Sequence, residues 1–197
     1  MIKIALVFCI IANKYNYWFN MFAMEISRIN NCQNFKALPK FAIPVDNRLV
    51  RGPQVLSLFK LNSLKKEGVT QVIDLRNTSF FARPIEKLLC KILGIKYINH
   101  RYAHSSTALP SADFFESVNK SIIENNGKTY IHCMKGKRRT GMCVAVYEKK
   151  NSSKPSKEII DNMVNLGFWE FDKNKTPKRL SNLQGVFSEF VEKIDTL

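Results

Sequence analysis

The sequence predicts an α/β fold, with a central, mostly parallel sheet of about four to five strands flanked by helices. Three observations carry this. Short, β-branched apolar runs recur at 69–75 (VTQVIDL), 95–98 and 129–132 (TYIH), and near-continuous apolar runs of that length suit strands buried on both faces. Stretches with apolar residues at helical spacing separate them, so strand and helix alternate as parallel layered folds require. A chain of 197 residues that is 45% hydrophobic supplies one core rather than two.

The elements follow in order. Residues 1–40 read as an N-terminal extension and linker, because 25–40 is polar, Asn-rich and without periodicity. Within it Lys3 and the apolar run Ile4 to Ala12 (segment 3–12) look like a short secretory signal, although no clean small-x-small cleavage site follows. The alternatives are an apolar extension or a start codon upstream of Met21 or Met24. The domain is expected over 41–197. Arg48 to Pro53 forms a short strand stopped by Gly-Pro, then a helix presents Leu56, Phe59 and Leu64 and closes at Gly68. After the 69–75 strand comes a helix from Pro84 to Leu93 ending at Gly94, and then the 95–98 strand. Ser111 caps a helix with Phe114, Phe115, Val118 and Ile122 on its apolar face and Asp113 in its first turn, where the helix dipole favours a carboxylate. The third strand, 129–132, is followed by a helix over 140–150 with Met142 and Val146 on one face, a helix opened by Pro155, and a last amphipathic helix from about Leu180 to Ile194.

Thirty-one Lys and Arg against sixteen Asp and Glu leave a formal charge of +15, which attracts anions: phosphorylated molecules, nucleic acid or an anionic membrane surface. No specific nucleic-acid motif accompanies it, so no specific nucleic acid is predicted. The five cysteines, Cys9, Cys32, Cys90, Cys133 and Cys143, include no CxxC pair and no zinc-ligand spacing. A disulfide framework and a metal site are therefore disfavoured. A scattered, odd set fits a reducing compartment, hence a cytoplasmic site, with export to the periplasm or medium the outcome if residues 1–23 act as a signal. Cys90 and Cys143 read as core residues, and Trp169 with Phe168 and Phe171 as packing.

The chemistry is concentrated in HCMKGKRRTG, residues 132–141, set between a buried strand and a helix. Backbone amides from Met134 through Lys135, Gly136, Lys137 and Arg138 to Arg139 can point inward as a nest for a tetrahedral anion, and the following helix N-terminus adds positive potential there. Arg139 offers a planar fork for two phosphate oxygens. The same field depresses the Cys133 pKa and makes it a thiolate nucleophile. Thr140 can donate its hydroxyl to the sulfur, and His132 can fix the cysteine backbone.

This segment resembles the signature of the cysteine-dependent protein tyrosine and dual-specificity phosphatase superfamily: His-Cys, five residues, then Arg and Ser or Thr. Cys133, Arg139 and Thr140 match it. The resemblance extends through Arg51-Gly52-Pro53-Gln54, GVTQVIDLR (68–76) and GIKYINH (94–100), in the order of compact bacterial and atypical dual-specificity members, and spans roughly Phe41 to Phe168. It implies a phosphomonoester hydrolase working through a phosphocysteine without a cofactor. Its partners would be a phosphorylated protein, on tyrosine and in a shallow pocket also serine or threonine, or another phosphate ester.

One departure is chemical. Relatives place an aspartic acid upstream to protonate the leaving oxygen, yet 99–107 (NHRYAHSST) holds no carboxylate. His104 is nearest the expected place and Asp113 next. The position before the signature arginine, an alternative site for such an acid, is Arg138. Three competing readings stay open. The basic loop side chains Lys135, Lys137 and Arg138 suit a phosphoinositide or inositol phosphate. Cys133 and Arg138 are also spaced as in rhodanese-type sulfurtransferases, and a missing acid would suit a non-catalytic phosphate-binding module.

Overall fold

The computed structural model describes residues 39–77, 81–102, 108–169 and 177–197; the 1–38 part of the extension, with its signal-like segment, Cys9 and Cys32, lies outside them, as do His104 and Phe171. Among the described residues five strands are β1 (Ile43–Pro44), β2 (Leu49–Gly52), β3 (Val69–Asp74), β4 (Lys96–Asn99) and β5 (Lys128–His132). Six helices are α1 (Leu58–Lys66), α2 (Ala82–Leu93), α3 (Ala112–Ile123), α4 (Arg138–Asn151), α5 (Ser156–Asn165) and α6 (Pro177–Lys193).

The strands form one sheet in the order β1-β2-β5-β3-β4, parallel throughout except for the antiparallel edge pair β1/β2. The expected α/β layer fold is therefore the observed one. Residue alternation sorts the strand side chains into two cores. Leu49, Ile73 and Ile131 face α3, α4, α5 and α6, where Phe115, Met142, Met163 and Phe190 pack on them. Val50, Val72 and Tyr130 face α1 and α2, against Leu61, Leu64 and Leu89. The β5 strand, paired on both sides, is the middle of this sandwich, so whatever follows its C-terminus emerges at the centre of one sheet edge.

Several boundaries differ from the sequence expectation for local reasons. Ser57 caps α1 by accepting from the Lys60 N–H at 3.4 Å, which starts that helix at Leu58 and turns Leu58, Leu61 and Leu64 inward. Leu56, expected on the apolar face, precedes the helix and is 43% exposed. The two-residue β1 carries no periodicity that a pattern could reveal, and β4 begins one residue later than expected. Gly94 closes α2 at φ 66°, and Ser111 caps α3, both as expected. α4 is buried on all sides from Thr140 to Glu148 rather than along one face, because it runs between β5 and the α3 and α5 layer.

Candidate active site

β5 delivers His132 and Cys133 to the C-terminal edge of the sheet, and the Leu75 N–H holds the end of that strand by donating to the His132 carbonyl at 2.9 Å. The chain then turns through Met134, Lys135, Gly136 and Lys137 into α4. Gly136 takes φ 71° and lies against Gly52 so closely that a Cβ would overlap the Gly52 carbonyl. Only glycine combines that left-handed backbone with that approach. The loop is fastened from β2 as well. The Arg51 guanidinium, itself buried, donates to the carbonyls of Gly136 at 2.8 Å and Lys137 at 3.2 Å, and the Gln54 N–H donates to the Met134 carbonyl at 3.2 Å.

Cys133 sits inside this turn, 4% exposed. Burial, the largest single influence, pushes its thiol up. The Thr140 hydroxyl, the Arg139 charge and the backbone N–H groups of Thr140 and Gly136 together outweigh it, so the pKa is lowered overall. Thr140 Oγ1 is buried and has no hydrogen bond within ordinary geometric limits, so its dipole is available to the sulfur. Arg139 is half-buried in the first turn of α4 and rests Nη1 on the Leu75 carbonyl at 3.3 Å. The structure thus brings Cys133, Gly136, Arg139 and Thr140 together. Around them Met134 and Lys135 are exposed, while Lys137 and Arg138 are half-buried. Asp113 stands exposed in the first turn of α3 and takes no part in the loop's bonding.

Beneath the loop lies a charged cluster that the sequence reading did not include. His132 is fully buried with Nδ1 3.0 Å from the Cys133 carbonyl and Nε2 3.2 Å from Glu86 Oε1. Nδ1 faces a carbonyl oxygen, while Nε2 lies near the Glu86 carboxylate without a well-aligned hydrogen bond, so the surroundings favour the protonated ring. Burial opposes that charge; the Glu86 and Asp74 carboxylates and the Cys133 carbonyl overcome it, and the His132 pKa is raised. Glu86 is also bonded by Arg76 Nη2 and by the Val55 N–H at 3.0 Å. Arg76 reaches Asp74 through Nε and Nη2, both at 2.8 Å, and Gln54 Oε1 through Nη1 at 2.6 Å. Burial raises the Asp74 pKa, but Arg76, His132 and the Tyr97 hydroxyl at 2.5 Å reverse the sign and hold the carboxyl below its ordinary value. Asp74, Glu86 and His132 offer ligand atoms within 4.8 Å of one another. The Arg76 guanidinium already bonds both carboxylates, with His132 and Arg83 beside them as further positive neighbours. A signal for this cluster was present in the sequence: Glu86 falls on the inward face of α2 with Leu89 and Cys90, where a carboxylate needs a buried partner.

This is the fold of the cysteine-based, dual-specificity phosphatases. PTPMT1 in complex with PI(5)P superposes with a TM-score of 0.55 at 17% identity, covering 80% of this chain and 98% of that one. The core catalytic domain of the PP-IP phosphatase SIW14 from S. cerevisiae gives 0.55 at 15% identity over 81% and 93%. TpbA of P. aeruginosa gives 0.55 at 16% over 80% and 96%. No protein-family model matches the chain, and no curated protein matches it in sequence, so the likeness is one of fold.

Proposed function

We propose that the chain is a phosphomonoester hydrolase that works through a phosphocysteine at Cys133, with phosphotyrosine, and in a shallow site phosphoserine or phosphothreonine, as substrates. The reading is carried by one observation: a buried thiol whose pKa is lowered by Thr140, Arg139 and loop amides converging on it. A field that favours the thiolate also favours a phosphate dianion in the turn above it. The thiolate attacks phosphorus, the phosphorus–oxygen bond to the leaving group breaks, and the departing oxygen takes a proton from solvent water. Water then attacks the phosphocysteine, the sulfur–phosphorus bond breaks, and inorganic phosphate leaves while the Thr140 hydroxyl eases the sulfur back to thiolate. Arg139 and the loop amides hold the equatorial oxygens in both steps. Cys90, Cys133 and Cys143 are all free thiols, and a nucleophile of this kind suits a reducing, cytoplasmic setting.

The test is turnover of p-nitrophenyl phosphate by wild type and Cys133→Ser. The serine variant loses turnover and keeps its fold; a variant that still turns over ends the proposal. A second reading, a phosphoinositide or inositol-phosphate substrate, is favoured by the basic rim of Lys135, Lys137 and Arg138, and by neighbours solved with PI(5)P or described as a PP-IP phosphatase. Comparing kcat/KM for phosphopeptides with that for inositol phosphates separates the two.

A further inference from the structure

Helix α2 carries an apolar ridge that the fold does not use. Its inner face, with Glu86, Leu89 and Cys90, is buried, whereas Phe81 at the cap and Ile85, Leu88 and Ile92 are 85%, 37%, 56% and 47% exposed. At the α-helical repeat these four positions fall within about 60° of arc, a single ridge running the length of the helix. Other exposed large apolar side chains, such as Ile43, Ile123 and Val191, stand singly on separate elements. Lys87 and Lys91, both exposed, lie along one flank of the ridge, while Arg83 turns inward to the Arg76 and Asn77 carbonyls. Lys65 joins them at the C-terminal end of α2, where its Nζ donates to the Leu93 carbonyl at 2.6 Å. The helix has one carboxylate, Glu86, and it is buried beneath Arg76 and His132.

An apolar ridge flanked by cations with no acid on the outer face has the pattern of a helix that lies in a membrane interface. The lysine row decides between occupants. A neutral apolar partner would gain nothing from it, whereas anionic headgroups pair with it while the ridge enters the acyl boundary. The chain's charge of +15 acts in the same direction. No helix among the described residues is long and apolar enough to cross a bilayer, so the contact they provide is peripheral.

We propose that α2 is a docking helix that seats the Phe81, Ile85, Leu88 and Ile92 ridge in the surface of an anionic lipid bilayer. The N-terminal half of α2 adjoins the Cys133 loop through Glu86, which touches His132 and the Val55 N–H. The docking does not depend on the reaction at Cys133.

The test is co-sedimentation of the full chain with phosphatidylcholine vesicles, with and without phosphatidylserine, at low and raised salt. Wild type binds the phosphatidylserine vesicles, less at raised salt. Leu88→Gln/Ile92→Gln weakens binding roughly tenfold or more, since two apolar side chains leave the interface. Lys87→Gln/Lys91→Gln flattens the salt dependence. Both variants keep wild-type melting temperature and hydrolysis of soluble p-nitrophenyl phosphate, so a fault in the catalytic reading shows separately as a wild type that binds vesicles without turnover. Wild type that ignores anionic vesicles overturns the proposal. So does unchanged binding by the Leu88→Gln/Ile92→Gln variant, which would place the contact elsewhere, such as residues 1–38. A dimer in sedimentation that this variant converts to monomer would make the ridge an interface between copies and also overturn it.

Discussion

Glu86→Gln isolates what the buried cluster contributes. The amide keeps the shape of the side chain and an oxygen for the Val55 N–H, 3.0 Å away, but removes the charge between Arg76 and His132. Breaking a buried pair costs roughly 3 to 5 kcal/mol when an uncompensated charge is left behind. Arg76 is not abandoned, because Asp74 and Gln54 still accept from it at 2.6 to 2.8 Å. His132, still buried, is the group that loses its carboxylate neighbour, and releasing its proton relieves it. The loss should therefore sit at the lower end, about 3 kcal/mol, and it should depend on pH in a definite direction. A histidine whose folded pKa is raised, as here, stabilises fully below its unfolded value, and that stability is lost as pH rises through the folded value. The gap between wild type and Glu86→Gln is thus widest on the acid side of the ordinary imidazole range and narrows as pH climbs past the raised His132 pKa. Urea unfolding of both proteins across that range measures it. A gap that is flat, that widens with rising pH, or that stays below about 1 kcal/mol would refute the imidazolium and the cluster built around it.

Thr140→Ala removes a hydroxyl that helps lower the Cys133 pKa, so the pH midpoint for alkylation by iodoacetamide moves up by about one unit, the worth of a hydrogen bond to a charged group; an unmoved midpoint excludes that role. Gly136→Ala must place a Cβ into the Gly52 carbonyl at φ 71° and within 2.8 Å of the Pro53 nitrogen, which costs at least about 2 kcal/mol on denaturation and abolishes inhibition by vanadate. Arg139→Ala lowers kcat/KM for p-nitrophenyl phosphate by about a hundredfold or more, with Arg138→Ala far milder; the reverse order would favour the shorter, sulfurtransferase spacing. If no group protonates the leaving oxygen, rates fall steeply from aryl to alkyl phosphates as the leaving-group pKa rises, and a shallow dependence would show that such an acid exists.

What could be read in advance follows from where each signal lies along the chain. β3 and β5 are contiguous apolar runs, and Cys133 to Thr140 is a contiguous motif, so the sequence places both with its own local pattern. β1 is two residues long and exists only because β2 offers it an edge. Arg51 looked like part of a strand-ending motif, and its hold on the Gly136 carbonyl, 85 residues away, depends on β2 pairing with β5. Glu86, Arg76 and Asp74 come from a helix, a loop and a strand end, and only the packing of α2 over the sheet makes them one cluster. The ridge on α2 is a further case, since amphipathic spacing reports two faces of a helix and does not say which apolar residues the fold leaves outside.

These long-range fastenings hold the Cys133 turn in one shape, as the proposed phosphate site requires. The loop is tied by Arg51 and Gln54 from the β2 side, by Leu75 from β3, and by Glu86 through His132 from α2. Each tie takes up a carbonyl or fixes a strand end, and none uses an inward N–H. The Gly136 and Thr140 N–H groups act on the Cys133 sulfur within the turn so held, and groups already fixed in place lower the ordering cost of any anion that binds beside them. The charges beneath alternate, with Asp74 and Glu86 against Arg76 and His132, which balances the cluster internally. The net positive potential at the turn is then set by Arg139 and the start of α4 rather than by the buried layer, and a change confined to that layer should register first in stability and only secondarily in the thiolate.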